Sequence, residues 1–171
     1  MAVAAAIAAF LPAIAAAQLA DTDARAVAVI LRPNTLVNTG DLNFGEFLSN
    51  AAPGTVTISA LTGARTTSGG VLAVGGGATR GEFQGTGGAV LTIITGSNAA
   101  TLARVGGGAP SITATLTRAR QTPTGPVALR NVAVVFGGGF GLYYVGGTLT
   151  VPANQLPGDY VGTYTLTVNY I

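Results

Sequence analysis

The chain has 171 residues, 49% of them hydrophobic and only 8% charged, with a net charge of +2. That balance excludes disorder, which needs low hydrophobicity and high charge, and the dispersed arginines make no basic patch, so nucleic acid is not an expected partner. Without histidine, cysteine or lysine, the chain has no disulfide and lacks the common groups for acid–base, thiol, Schiff-base and zinc chemistry, so neither an enzyme nor a cofactor is expected.

Residues Met1–Ala17 carry no charge and include AAAIAAFLPAIAAA. The stretch has the length of a signal-peptide core and is short for a membrane helix. Ala15 and Ala17 make a small-x-small cleavage site before Gln18, so residues 1–17 read as a signal peptide and 18–171 as one exported domain. Asp21-x-Asp23 follows, with no third acidic neighbour to make a metal site. Residues 18–31 form the first strand or an N-terminal extension. Within them Ala24–Leu31 (ARAVAVIL) places Val27, Val29 and Leu31 on one face.

Further strands are expected at Leu42–Phe44, Thr55–Leu61, Val71–Val74, Ala89–Thr95, Ser111–Thr117, Val127–Phe136, Leu142–Val151 and Tyr160–Ile171. Short β-branched runs between glycine, proline, asparagine and serine clusters predict an antiparallel sandwich or barrel, with no helical period after the leader. The triplets Gly75–Gly77, Gly106–Gly108 and Gly137–Gly139 have no lysine to complete a phosphate loop and read as hairpin connections. Tyr143-Tyr144 puts one ring on each face of a strand, so at least one should be core and the other could offer an aromatic platform. The six carboxylates, Asp21, Asp23, Asp41, Glu46, Glu82 and Asp159, could serve a paired-carboxylate hydrolase only if two met in space.

The segment YVGTYTLTVNYI (Tyr160–Ile171) is two-faced. Tyr160, Tyr164, Leu166, Val168 and Tyr170 share one face with Gly162, and threonines dominate the other. No later strand follows it, so its outer edge needs a cover from elsewhere.

The ending VPANQLPGDYVGTYTLTVNY (Val151–Tyr170) resembles that of chaperone–usher fimbrial subunits, in the archaic, spore-coat-protein-U-like branch. Tyr170 is penultimate and Gly158 is fourteenth from the end, as in those subunits. GDLNFG (Gly40–Gly45), with Leu42, Phe44 and Gly45, is similar to their L-x-F-G block near the start. With GTVTIS and VGGTLTVPANQ, the whole looks most like a pilin-like family of bacterial surface proteins described as a domain of unknown function. Many fimbrial subunits carry a disulfide near the first strand; this chain has none.

The resemblance implies an immunoglobulin-like antiparallel β-sandwich lacking its last strand. It implies an acceptor groove along Gly158, Tyr160, Tyr164, Leu166, Val168 and Tyr170, filled by strand addition. Val27, Val29 and Leu31 are the candidate donor. The implied partners are neighbouring copies or related subunits, a periplasmic chaperone and an outer-membrane usher. The implied route runs from the periplasm to the cell surface. A surface filament or layer subunit is therefore the first functional expectation. A small outer-membrane β-barrel and a monomeric secreted adhesin are the alternatives.

Overall fold

Alternation of apolar residues with threonine builds the centre of this protein. In Ile112–Thr117 the residues Ile112, Ala114 and Leu116 are buried, and Thr113, Thr115 and Thr117 are exposed. The computed structural model describes Ala28, Ile30 and residues 35–87, 91–130, 133–136 and 139–170. The leader, Asp21-x-Asp23 and the candidate donor residues Val27, Val29 and Leu31 lie outside the described residues.

The described chain is all-β, with no helix among the described residues. Its strands are β1 (Thr35–Gly40), β2 (Phe47–Ile58), β3 (Arg65–Ala73), β4 (Gly81–Gly87), β5 (Leu91–Gly96), β6 (Ala99–Arg104), β7 (Ile112–Thr122), β8 (Gly125–Leu129), β9 (Ala133–Phe136), β10 (Gly139–Val151), β11 (Tyr160–Val161) and β12 (Leu166–Tyr170). All belong to one unit, Leu31–Ile171. A nine-stranded antiparallel sheet runs β1-β4-β10-β7-β6-β11, with β2 on β10, β3 on β2 and β8 on β7. A three-stranded sheet runs β12-β5-β9.

Two long strands organise the large sheet. Strand β10 pairs along one edge with β7 and along the other with β4 and then β2. The change of neighbour falls at Gly146, between the Val145–Gly81 and Gly147–Ile58 pairs. Strand β7 likewise pairs first with β6 and then with β8. Because β5 leads into β6 through Ser97 and Asn98, the chain passes there from the small sheet to the large one.

The core gathers Val56 and Ile58 from β2, Phe83 from β4, Ile94 from β5, Ile112 and Leu116 from β7, and Tyr143, Val145, Leu149 and Val151 from β10. Hydroxyl pairs lace the strands together elsewhere, as between Thr57 and Thr148 (3.0 Å) and between Thr55 and Ser68 (2.8 Å); cross-strand threonine pairs of this kind each add a fraction of a kcal/mol, about 0.2–1.

Several strands differ from the sequence reading. The run Val127–Phe136 splits into β8 and β9, which lie in different sheets. Leu42–Phe44 forms only an isolated bridge, Asn43 to Thr79. Tyr160–Ile171 divides into β11 and β12, on different sheets. Strands β1, β4 and β6 carry no run of large apolar residues and escaped notice. Neither tyrosine of Tyr143-Tyr144 is an exposed platform. Tyr143 joins the main core, and Tyr144 packs with Ala60 and Ala119 beneath the Arg80 guanidinium, 3.4 Å from the ring centre.

Candidate functional site

The C-terminal segment runs antiparallel beside β5 and β6, changing sheets as they do. Tyr160 pairs with Arg104 on β6, and Leu166 to Tyr170 pair with Gly96 to Thr92 on β5. The crossing is tied at Ser97, whose amide donates to the Thr165 carbonyl (3.0 Å) and whose Oγ accepts from the Thr165 amide (3.1 Å). Strand β11 ends the nine-stranded order and β12 ends the three-stranded one, so among the described residues no strand pairs with the other edge of this segment.

The side-chain alternation follows the register read from the sequence. Tyr160, Tyr164, Leu166 and Val168 are half-buried and pack on the core. Val161, Thr163, Thr165, Thr167 and Asn169 are exposed. Tyr164 meets Phe83 edge-on, with ring centres 6.0 Å apart. Tyr170 pairs with Thr92 at the end of β12.

At the start of this segment opens a cleft of about 780 Å³. One wall is Leu42–Ser49 with Val74, the other is Gln155–Tyr160, and the floor is Leu102, Ile112 and Leu149. The L-x-F-G block and the P-G-x-Y block, more than a hundred residues apart in sequence, therefore face one another across it. The structure brings Leu42, Phe44, Gly45, Gly158 and Tyr160 to this cleft, whereas Leu166 and Val168 lie further along the strand, outside its lining.

Each wall is held by an arginine. On the first, Asn43 Oδ1 accepts from the Gly45 amide (2.8 Å), turning the chain after the Asn43–Thr79 bridge. Phe44 enters the core, and the Arg65 guanidinium donates to the carbonyls of Phe44 (3.4 Å), Glu46 (3.3 Å) and Gly75 (2.7 Å). Gly45 has φ 74°, and Arg65 fills the space where a Cβ would stand. On the second, Arg104 donates to the carbonyls of Pro157 (2.9 Å) and Gly107 (2.8 Å). Gly158 has φ 144°, and its Cβ would lie 2.7 Å from Arg104 Nε. Both motif glycines are thus positions where a side chain would strain the backbone and push an arginine off the carbonyls it binds.

Gln155 joins the walls. Its amide donates to the Pro110 carbonyl (2.9 Å) and the Tyr160 hydroxyl (2.7 Å), and its carbonyl accepts from Ser49 Oγ (3.1 Å). The turn before it uses Asn154 at φ 55°, a conformation asparagine tolerates better than most residues. The rim is apolar and open: Leu48 is 57% exposed, Val74 55% and Leu156 48%. Sequence reasoning missed Arg65, Arg104 and the floor residues, since contacts made by a long side chain or across the sheets have no local signature.

Comparison with known families matches residues 35–170 to the Domain of unknown function (DUF4402). The chain belongs to that family. The match covers both cleft walls and the whole of β11 and β12. No curated protein and no solved structure gives a significant match. For the DUF4402 domain described here, the L-x-F-G and P-G-x-Y blocks are explained as the two arginine-held walls of one cleft.

Two carboxylates, Glu46 and Asp159, do line that cleft together. Both are exposed to solvent, and neither is enclosed by apolar side chains as the acid of a hydrolase pair would be.

Burial raises the pKa of the Tyr164 hydroxyl, with the Leu42 amide acting against the rise and Asp41 adding to it. The hydroxyl makes no hydrogen bond of ordinary geometry, although the Leu42 amide is close enough to influence it. Burial also raises Tyr143, opposed by Arg120. An unfolded tyrosine ionises near about pH 10, and the folded state holds these two protons more tightly. Their contribution is therefore full below about pH 10 and is lost as pH rises from there through the raised folded values. Because the chain has no lysine or cysteine, the alkaline limb belongs to tyrosine. Urea midpoints measured from pH 8 to 11.5 should be flat and then fall, and Tyr164→Phe should make the fall shallower at little cost at pH 8 (about 1 kcal/mol or less). An unchanged slope would show that Tyr164 ionises as freely in the fold as out of it.

Proposed function

We propose that the protein is a structural subunit of a bacterial surface filament or layer, assembled when one copy lends a β-strand to the next. One observation carries the reading: among the described residues the C-terminal segment ends both sheets, with no strand on its other edge and an apolar-rimmed cleft at its start. An open two-faced edge invites strand addition, in which backbone bonds supply affinity and alternate side chains supply fit. Lending from one end and receiving at another is a heterologous contact that does not close, so it propagates. Among the described residues the strand order of the large sheet runs from β1 to β11 without joining its ends, which favours this reading over a closed barrel. On this reading the chain is exported, carried by a periplasmic chaperone, and handed to an usher at the outer membrane.

The donor is the segment Ala24–Leu31, through Val27, Val29 and Leu31. Val29→Asp places an unpaired carboxylate in an apolar groove, at a cost of several kcal/mol (about 2–7). The variant should fold with the wild-type urea midpoint, accept a strand from wild type, and fail to donate one. Leu166→Asp should instead unfold the subunit, because Leu166 packs on the core. Filament length by electron microscopy, for each variant alone and mixed with wild type, reads both effects. Wild-type filaments from Val29→Asp alone would remove this segment as donor. Unfolding of that variant would make it a core strand.

A further inference from the structure

We infer that the outer face of strands β2, β10 and β7 binds ice. Each strand carries a threonine-x-threonine step there: Thr55 and Thr57 on β2, Thr148 and Thr150 on β10, and Thr113 and Thr115 on β7. The register stacks these steps into two rows. Thr55, Thr150 and Thr113 are cross-strand partners in one row, and Thr57, Thr148 and Thr115 in the other. Ser68 and Thr101 extend the first row, and Thr66 extends the second. Thr113, Thr115 and Thr150 are exposed, and Thr55, Thr57 and Thr148 half-exposed. The residues between them, Val56, Leu149 and Ala114, are fully buried, so both rows stand on the most tightly packed part of the core. The inference does not depend on strand donation.

Two residues of an antiparallel strand rise about 6.8 Å, and neighbouring strands lie about 4.8 Å apart. Those repeats are close to the c and a axes of hexagonal ice, so the rows can stand in register with the oxygens of a prism face. Twist of roughly 20–25° between neighbouring strands confines the match to the three central ones. Where hydroxyls meet across strands, as Thr57 with Thr148 (3.0 Å), they sit near the spacing of hydrogen-bonded oxygens, about 2.7–2.8 Å. A hydroxyl paired in this way keeps acceptor capacity for water, and the threonine methyls order the water that covers them. The composition of the face separates ice from other occupants. The exposed surface of an ordinary soluble domain mixes charges of both signs, but no charged residue stands in either row. Nothing there attracts an acidic or basic partner, and no strongly hydrated ion imposes its own water shell. No aromatic ring stands in the rows for a sugar to stack on, so a crystalline polysaccharide fits less well than ice.

The test is partition into ice. The full chain in dilute buffer meets a slowly growing ice front, and the protein in the ice and in the remaining liquid is measured. It should be enriched in the ice, from which an unrelated soluble protein is excluded. Ice crystals held just below melting in its presence should be faceted rather than rounded. Thr115→Arg with Thr150→Arg raises two long charged side chains out of the plane and should abolish both effects. Thr124→Arg, at an exposed position in the turn between β7 and β8, should keep both. A urea midpoint for each variant confirms folding. If the double arginine variant does not fold, Thr113→Val with Thr115→Val replaces it; this pair keeps the side-chain shape and removes two hydroxyls, and the enrichment should again fall. Exclusion of the wild-type protein from ice would overturn the inference, and so would retention on crystalline cellulose or chitin without enrichment in ice. Full enrichment of the folded double variant would overturn the assignment to this face.

Discussion

Gly146→Ala is expected to be among the most damaging single substitutions in the chain. The residue sits where β10 exchanges β4 for β2 as its neighbour. At that junction the end of β2 turns across the strand, and a Cβ on Gly146 would be driven into the Ile58 carbonyl oxygen and the Ala60 amide nitrogen. Both are backbone atoms, at the end of β2 and in the turn that follows it, so no rotamer change relieves the overlap. Either β10 shifts, opening the Gly147–Ile58 pairing and the buried Leu149 and Val151 beyond it, or β2 does. Overpacking of this kind costs about 3 kcal/mol, roughly 10 °C in melting temperature for a domain of this size. Gly76→Ala is the control, because nothing lies within 4 Å of the Cβ it would add, and its cost should stay within about 0.5 kcal/mol. Thermal melts of the two variants side by side read the difference, and equal melting temperatures would show that the junction yields.

Arg118→Met should be nearly as costly, for the opposite reason: it removes contacts rather than adding atoms. Arg118 projects from β7 and is only 4% exposed. Its Nη2 donates to the Gly96 carbonyl (2.7 Å), the Ser97 carbonyl (2.8 Å) and Asn98 Oδ1 (3.0 Å). Those three acceptors form the corner where the chain leaves the small sheet for the large one, and where Thr165 of the C-terminal segment is tied. Burial lowers the pKa of this guanidinium, but an arginine keeps its charge throughout the ordinary pH range. Methionine fills much of the same space and offers no donor. Leaving several part-buried acceptors unmet should cost about 3 kcal/mol. Amide hydrogen exchange should rise first at Ser97 and Thr165, whose mutual bonds the corner supports. A variant with wild-type stability and unchanged exchange there would mean that solvent replaces the guanidinium at no cost.

These two effects explain how a chain so poor in large side chains holds its C-terminal segment in place. Strands β11 and β12 lie beside β6 and β5 while the chain between them changes sheets. Arg118 fixes the crossing from the side of β7. Arg104 and Arg65 fix the two walls of the cleft in the same way, each by donating to loop carbonyls. Long cationic side chains thus do work that a larger apolar core does elsewhere.

The sequence by itself determined what depends on local periodicity. The all-β class, the burial of Ile112, Ala114 and Leu116, and the inward set Tyr160, Tyr164, Leu166 and Val168 all follow from side chains alternating along a strand, which needs no knowledge of partners. Strands β1, β4 and β6 were not legible, because runs such as TLVNTG and GEFQGTG become strands only when neighbours supply backbone bonds. Nor could a single apolar run such as Val127–Phe136 announce that its halves serve different sheets. The L-x-F-G and P-G-x-Y blocks were visible as motifs, but their meeting across one cleft was not. That meeting depends on Arg65 and Arg104 reaching over loops distant in sequence, and on floor residues Leu102, Ile112 and Leu149 from three strands. Tertiary structure alone decided the site, since the contacts that make it link residues whose separation along the chain carries no periodic signal.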